Sequence, residues 1–311
     1  IHRDARGIPS ISVTNRKDIY TALGFIHAQD RYELLTYYLY ASRGYLSKLL
    51  GKELKPIDTF STVLGFARKA QLIEKKLSDT AKSYILAYAN GINMYNKARN
   101  NTSDKKWLST DVISVFLMMH WVQGYMNNKD LIFQMPKSVM SSAIREFFPA
   151  DLLVVYNNEL KDTLNLTRSL KKLLKKYFSS FLKGYGVHVA KKYTTTGNPI
   201  LFYNYLHSIG VYPGWVPVNI KFNGEKIQGL THSGMPFIFA AKTKNFSYQI
   251  FSLAIDTQDF DIYKVKKINK IIKYNYNGIW KDFKTIRNPI LGGKDNEHSV
   301  TWVTETGPVL N

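Results

Sequence analysis

The chain has 311 residues, enough for one large domain or two ordinary ones, and its 45% hydrophobic content can fill a core. A 14% aromatic content excludes a disordered polymer, and the lack of cysteine excludes disulfides and thiolate chemistry. No apolar run reaches the roughly 18–20 residues that span a bilayer.

The formal net charge of +20 favours contact with anionic partners such as phospholipid, nucleic acid or polyanionic wall material. A lysine-rich source proteome is the alternative explanation. The sequence contains no zinc knuckle, RNP-type aromatic motif or helix-turn-helix pattern. We therefore expect no nucleic-acid partner.

The first part of the chain reads as mainly helical. Pro9–Val13 alternates like a short strand. Helical periodicity and cap residues then predict three helices, with Gly51 ending the first and Ser109 to Asp111 capping the third. These helices are predicted over about 15–50, 62–98 and 109–125.

Residues 168–183 form the clearest amphipathic segment and would make a basic linker helix over 166–183. Its apolar residues recur at helical spacing, and its lysines occupy the other face. Such a helix either lies on an anionic surface or packs its apolar face on its own domain. Both interpretations stay open.

From Tyr185 onward the pattern changes to short β-rich runs separated by turns. Asn223-Gly224 between two alternating runs is a strong hairpin signal. The composition break near Gly184 predicts a helical region over 1–184 and a β-rich region over 185–311. The predicted strands are 187–193, 200–203, 215–222, 227–231, 237–241, 248–255, 260–267 and 299–304.

Three blocks of sequence together resemble a known family. The first block comprises RDARGIP at 3–9, ALGFIHAQDR at 22–31 and SRGYL at 42–46, with Gly51 and Asp58. The second is Trp107 with Asp111. The third comprises PGW at 213–215, Gly229, GMP at 234–236, DFDIY at 259–263 and TGP at 306–308.

In this order, the blocks resemble penicillin acylases, glutaryl-cephalosporin acylases and acyl-homoserine-lactone acylases, which are N-terminal-nucleophile hydrolases. The resemblance implies an α+β fold of the αββα sandwich type and a precursor that cuts itself into α and β chains. It also implies hydrolysis of the amide bond in small N-acylated molecules such as β-lactams or acyl-homoserine lactones. A periplasmic or secreted location and a longer chain beyond Asn311 are implied as well.

In that family the new β chain begins with a serine, and the serine's own α-amine serves as base. A free α-amine has a pKa of about 7.7–8.0, so part of it is neutral near physiological pH. The matching segment here is Gly184-Tyr185-Gly186. Alignment on His207 places Tyr185 at the serine position, whereas alignment on Gly197 places Gly184 there.

Neither residue suits the task, because glycine has no side chain and a phenol with a pKa of about 10 is bulky. One hypothesis keeps a working amidase, with a nucleophile displaced to Ser179, Ser180 or Thr194–Thr196. The other is a pseudoenzyme or binding module that keeps the fold without cutting itself.

The resemblance implies further site residues. The backbone N–H of Ala254 corresponds to an oxyanion donor. His207 corresponds to a residue of the nucleophile pocket, although a histidine hydrogen-bonded at a strand end is an equal alternative.

A structural calcium ion is also implied, because hard oxygen ligands suit Ca²⁺. The family's ligand positions correspond to Asp130, Gln258, the Phe260 carbonyl and Asp261. Gln258 and Asp130 stand where the family has an aspartate and a glutamate. We therefore expect this chain to bind Ca²⁺ more weakly than the family does. Ordinary capping and surface acids are the alternative.

His27, Gln29 and Asp30 suggest metal or acid–base chemistry at first sight. On a helix, however, Asp30 lies near both His27 and Arg31. The favoured interpretation is a structural polar cluster.

Overall fold

The computed structural model describes residues 1–99, 106–127, 184–205, 214–251, 261, 263–289 and 298–309. The chain forms two compact units, each built from segments on both sides of Gly184. The first unit comprises residues 1–43, 66–123 and 179–254, and the second comprises 44–65, 124–178 and 255–311. Both helices and strands are present, as the predicted α+β class requires.

Six α-helices lie within the described residues. They are α1 (Arg16–Ser42), α2 (Leu46–Leu50), α3 (Lys55–Leu64), α4 (Phe66–Lys76), α5 (Asp79–Ala98) and α6 (Ser109–Asn127). None of these helices is both long enough and apolar enough to cross a bilayer.

Thirteen strands lie within the same residues. They are β1 (His2–Arg3), β2 (Pro9–Val13), β3 (Gly184–Val189), β4 (Ile200–Tyr205), β5 (Trp215–Phe222), β6 (Glu225–His232), β7 (Ile238–Lys242), β8 (Ser247–Gln249), β9 (Val265–Ile268), β10 (Ile271–Tyr276), β11 (Ile279–Asp282), β12 (Lys284–Pro289) and β13 (His298–Val303).

Two of the predicted helices are broken by residues that the helical pattern concealed. The helix expected over 15–50 divides at Gly44, which has φ +77. The helix expected over 62–98 divides at Gly65, with φ +68, and again at Ser78, which caps α5. A left-handed glycine ends a helix without the steric cost that a Cβ would bring. The third predicted helix is confirmed as α6.

The core of the first unit depends on a close crossing of α1 and α5. A Cβ at Gly24 would lie 2.0 Å from the Tyr88 carbonyl oxygen, and one at Gly91 would lie 2.0 Å from the Thr21 carbonyl oxygen. The two glycines therefore let the helix backbones approach to a distance that no larger residue allows. Around the crossing lie the buried side chains of Leu23, Ile26, Tyr88 and Ile92.

A six-stranded sheet in the order β1-β2-β5-β6-β7-β8 completes this unit. Strands β2 and β5 pair in parallel, and the other neighbours pair antiparallel. One face of the sheet is apolar and buried, with Ile11, Val216, Val218 and Ile220 at 2% exposure or less. The predicted hairpin is confirmed, since Asn223 and Gly224 have φ +48 and +84 between β5 and β6.

The second unit contains α2, α3, a three-stranded sheet β11-β10-β9 and the hairpin β12–β13. The Asp58 carboxylate accepts hydrogen bonds from the N–H groups of Leu46 and Ser47 and so caps α2. Strands β10, β11 and β12 were not predicted. Their lysines and asparagines hide the alternation of apolar and polar residues that predicts a strand, because both faces of these strands carry exposed or half-exposed residues.

We predict that Gly91→Ala lowers the free energy of unfolding by about 1–3 kcal/mol, because the new methyl group meets the backbone of α1. The helix propensity of alanine alone favours the substitution by about 1 kcal/mol. Urea denaturation measures the difference. Gly307→Ala is the matched control, since its methyl group enters open space. Equal stability of the Gly91→Ala variant and the wild type would contradict the close crossing.

Candidate functional site

His27 lies at the centre of a fully buried hydrogen-bond chain. Its Nδ1 is 2.7 Å from the Tyr88 hydroxyl, and its Nε2 is 2.8 Å from the Thr231 hydroxyl. The Tyr88 hydroxyl accepts a hydrogen bond from the Gly234 N–H, and the Thr231 hydroxyl donates to the Val216 carbonyl. The chain therefore connects α1, α5 and two central strands of the sheet.

These partners determine where the proton on His27 resides. Thr231 uses its own proton on Val216, so it must accept from His27 Nε2–H. Tyr88 already accepts from Gly234, so its hydroxyl donates to the bare Nδ1 of His27. A second proton on the imidazole would oppose the Tyr88 donor, and this pattern of hydrogen bonds therefore favours a neutral ring.

Burial acts in the same direction as the hydrogen bonds. Desolvation, followed by electrostatic repulsion from His232 and Arg31, lowers the pKa of His27 to about 3. Burial also raises the pKa of Tyr88 far above its ordinary value, so its hydroxyl keeps the proton it donates. His27 is thus a neutral connector and not a proton-transfer group near neutral pH.

The neighbours of His27 in the motif also have structural partners. The Arg3 guanidinium donates to the Gln29 side-chain oxygen at 2.6 Å and to both oxygens of Asp30 at 2.8 and 3.3 Å. Asp30 therefore pairs with Arg3 through its side chain, and the Arg31 guanidinium donates to the Asp30 carbonyl. The structural cluster is present as expected, and it includes Arg3, a partner of Asp30 that the helix spacing did not indicate.

The second motif joins the first through a buried ion pair. Arg43 donates to Asp111, and their side chains are 11% and 5% exposed. The other oxygen of Asp111 accepts from the Leu108 N–H at 2.8 Å, at the start of α6. Asn93 holds the backbone N–H and carbonyl of Trp107. These motif residues thus orient helices within the first unit.

The position expected for the nucleophile lies on the β3–β4 hairpin, which packs over the sheet face opposite the helices. The Tyr205 ring stacks on Trp215 at 4.2 Å, and its hydroxyl donates to the Ile250 carbonyl at 2.6 Å. Ser247 Oγ lies 3.0 Å from His188 Nε2. The hairpin is therefore fastened to the β7–β8 side of the sheet.

The structure distinguishes the two alignments of the nucleophile position. A Cβ at Gly184 would lie 2.2 Å from the Asn204 carbonyl oxygen, so no serine fits there without a backbone shift. Tyr185 instead points to the outer side of the hairpin and is 49% exposed. The Asn204 side-chain amide donates to its hydroxyl at 3.4 Å. Of the two positions, only residue 185 has room for a side chain.

Thr194 and Thr196 do not lie near Tyr185. They occupy the turn at the other end of the hairpin, where the Thr194 hydroxyl contacts the carbonyls of Lys191 and Asn198 and the Thr196 hydroxyl accepts from the Asn198 N–H. Ser179 and Ser180 lie outside the described residues.

Most of the other expected site residues also lie outside the described part of the chain. These are His207, Ala254, Asp130, Gln258 and Phe260, together with the basic segment 166–183. Asp261 is described and is exposed. Among the described residues, no group of three or more acidic, histidine or cysteine side chains is placed to hold a metal ion.

Comparison with known proteins shows which family these features belong to. The sequence model of the penicillin amidase family matches residues 1–311. The chain belongs to this family. The membership confirms the resemblance that the motif blocks indicated.

Individual relatives agree with the family. An acyl-homoserine lactone acylase QuiP of Pseudomonas fluorescens Pf-5 is 22% identical over 336 residues, which cover 100% of this chain and 41% of that protein. The QuiP of Pseudomonas aeruginosa PAO1 is 19% identical, over 100% of this chain and 40% of its own length. The penicillin acylase 2 proenzyme of Pseudomonas sp. SE83 is 33% identical over 95 residues, which cover 30% of this chain and 12% of that protein. The chain thus spans about two fifths of the length of the QuiP proteins.

We predict that acid destabilises the protein through His27. With a pKa of about 3 when folded and about 6.5 when unfolded, His27 takes up a proton on unfolding between these pH values. Its contribution to stability is complete above about pH 6.5 and decreases by at most about 1.4 kcal/mol for each pH unit below. Urea titrations between pH 7 and pH 4 measure this slope.

His27→Gln removes the titrating ring and should flatten the slope by up to this amount. Thr231→Ser keeps a hydroxyl as acceptor for His27 Nε2–H and should retain the wild-type slope. An unchanged slope in His27→Gln would show that His27 is not held neutral.

Proposed function

We propose that the protein is an acylase-type amidohydrolase whose ligand is a small N-acylated molecule, with acyl-homoserine lactones as the first class to test. The observation that carries this proposal is the family match, which extends over every residue of the chain. The names of the QuiP relatives supply the ligand class.

The surroundings of Tyr185 support an acyl ligand. Its neighbours on the outer side of the β3–β4 hairpin are apolar and about half exposed: Val187 at 49%, Ile200 at 50% and Phe202 at 52%. An exposed apolar patch of this kind is typical of a surface that another apolar group covers. An acyl chain beside residue 185 would gain this contact.

Tyr185 itself is unsuited to self-cleavage. An N–O acyl shift requires a hydroxyl on the Cβ atom, so that its oxygen adds to the preceding carbonyl through a five-membered ring. The phenol oxygen of Tyr185 is at the far end of a rigid ring and cannot reach the Gly184 carbonyl. A serine at this position would reach it, and its oxygen would take the acyl group while the peptide nitrogen accepts the proton and becomes the free amine.

The second candidate is therefore a binding module that holds an N-acylated ligand without hydrolysing it. Of the two aligned positions, only residue 185 has room for a side chain, and it holds a tyrosine instead of a serine. This observation favours the binding module. Both candidates place the ligand at the same hairpin. They differ only in whether the amide bond is broken.

Three finer features belong to the same proposal. The β3–β4 hairpin, layered on the sheet through Tyr205 and Trp215, would begin the second sheet of an αββα sandwich. The protein would be periplasmic or secreted.

A structural calcium ion would be bound by Asp130, Gln258, the Phe260 carbonyl and Asp261. The test of this site is a rise in melting temperature with added Ca²⁺ that a chelator reverses.

The decisive experiment combines intact mass spectrometry of the full-length protein with an assay of acyl-homoserine lactones of several chain lengths. Two chains meeting near residue 185, together with release of homoserine lactone, identify an active enzyme that uses a displaced nucleophile. One uncut chain that binds the lactones without turnover identifies the binding module. Absence of both binding and hydrolysis, for lactones and for β-lactam amides, would refute both candidates.

A substitution at Tyr185 tests independently whether residue 185 occupies the position of the nucleophilic serine. We predict that Tyr185→Ser in the full-length protein produces cleavage between residues 184 and 185, because the side-chain oxygen then reaches the preceding carbonyl. Tyr185→Ala lacks the oxygen and is the matched control, which should stay uncut. Cleavage of neither variant would show that residue 185 is not the nucleophile position.

A further inference from the structure

The hairpin formed by β9 and β10 in the second unit ends in a tip that is both basic and apolar. Residues 266–273 read KKINKIIK, with four lysines, three isoleucines and no acidic residue. The register of β9 and β10 leaves only Asn269 and Lys270 in the turn. Ile271 and Ile272 follow the turn directly and, as neighbours in one strand, lie on opposite faces of the hairpin.

The side chains of this hairpin tip are exposed to solvent. Ile271 is 54% exposed and Ile272 is 42% exposed. Lys273 pairs with Asp282 at 3.1 Å. The other three lysines are exposed and form no ion pair within the part of the chain that the structure describes, and they stand at positions 266, 267 and 270. The tip thus combines three uncompensated positive charges with two exposed apolar side chains.

The conformation of the turn makes Lys270 an unusual choice. A two-residue hairpin turn with positive φ at both positions favours glycine at the second position. The turns Asn223-Gly224 and Asn277-Gly278 follow this rule, with φ +84 at each glycine. Lys270 occupies the same position in its own turn with φ +66, at a steric cost that glycine avoids. A lysine kept at this cost indicates that its side chain has a use beyond closing the turn.

We propose that the hairpin tip docks on the surface of an anionic lipid bilayer. The two isoleucines beside the turn enter the headgroup region, and the lysines contact the lipid phosphates. Basic residues next to an anionic bilayer each strengthen its binding, and the long apolar stem of lysine lets the charge reach the phosphates from a partly inserted position.

The position of the isoleucines favours a bilayer over other anionic partners. A bilayer surrounds an inserted tip and contacts both faces of the hairpin at once, so Ile271 and Ile272 both leave water. A nucleic acid or a polysaccharide lies against one face and leaves the isoleucine of the other face exposed. The inference uses only residues of the second unit and does not depend on the proposed acylase function.

The test measures co-sedimentation of the purified protein with vesicles. One set contains phosphatidylglycerol and phosphatidylcholine, and the other contains phosphatidylcholine alone. We expect binding to the anionic vesicles only, weakened by added salt. Replacing the lysines at 266, 267 and 270 with glutamine should weaken binding about tenfold or more. The matched control replaces three exposed helical lysines, at 75, 76 and 97, and should retain most of the affinity.

A second variant tests the apolar contact separately from the charge. Ile271→Thr with Ile272→Thr keeps every charge and the β-branched shape that suits a strand, and it should weaken binding several-fold. The matched control is Ile279→Thr with Val300→Thr. These two side chains are 62% and 52% exposed away from the tip, and their replacement should leave the affinity unchanged.

A third variant separates lipid binding from any role of Lys270 in the turn. Lys270→Gly supplies the residue that the other two turns use, so the urea midpoint should stay the same or rise. The same variant removes one charge from the tip and should weaken binding to anionic vesicles about fivefold.

Three results would each overturn the proposal, with circular dichroism showing that every variant is folded. The first is equal weakening by the tip and control lysine variants. The second is unchanged binding of the isoleucine variant at the tip. The third is tighter binding to RNA or to a sulfated polysaccharide than to the anionic vesicles.

Discussion

The buried chain of hydrogen bonds through His27 connects the helices of the first unit to its sheet. Every donor in the chain has one acceptor, from the Gly234 N–H through Tyr88 and His27 to Thr231 and the Val216 carbonyl. Such a chain favours a neutral ring, because an additional proton on Nδ1 would turn away the Tyr88 hydroxyl and leave its proton without an acceptor in the chain. The directional hydrogen bonds therefore add to packing in fixing the position of the helices relative to the sheet.

Apolar packing alone would also bring α1 close to the sheet, but it would permit many positions of the helix relative to the strands. The glycines at the crossing of α1 and α5 reduce these positions, since backbone touches backbone at Gly24 and Gly91. The ion pair of Arg43 with Asp111 then orients α6 against the end of α1. Motif residues that suggest catalysis when read in the sequence thus determine the geometry of the scaffold.

This scaffold carries the β3–β4 hairpin on the other side of the sheet. The β3–β4 hairpin covers the β7–β8 side, where Trp215 and Tyr205 stack, and turns an apolar face with Tyr185 outward.

The sequence by itself determined the family, the α+β class, the strand pair at Asn223-Gly224 and the position of α6, because these depend on local periodicity, turn chemistry and residue order. It did not reveal the helix breaks at Gly44 and Gly65, since a glycine within a helical pattern can stay helical or turn left-handed. Only the tertiary structure decided the partners of His27, which lie 61 and 204 residues away. It alone decided that Gly184 has no room for a side chain. Contacts between residues far apart in the chain depend on strand register and helix crossing, and no local pattern carries that information.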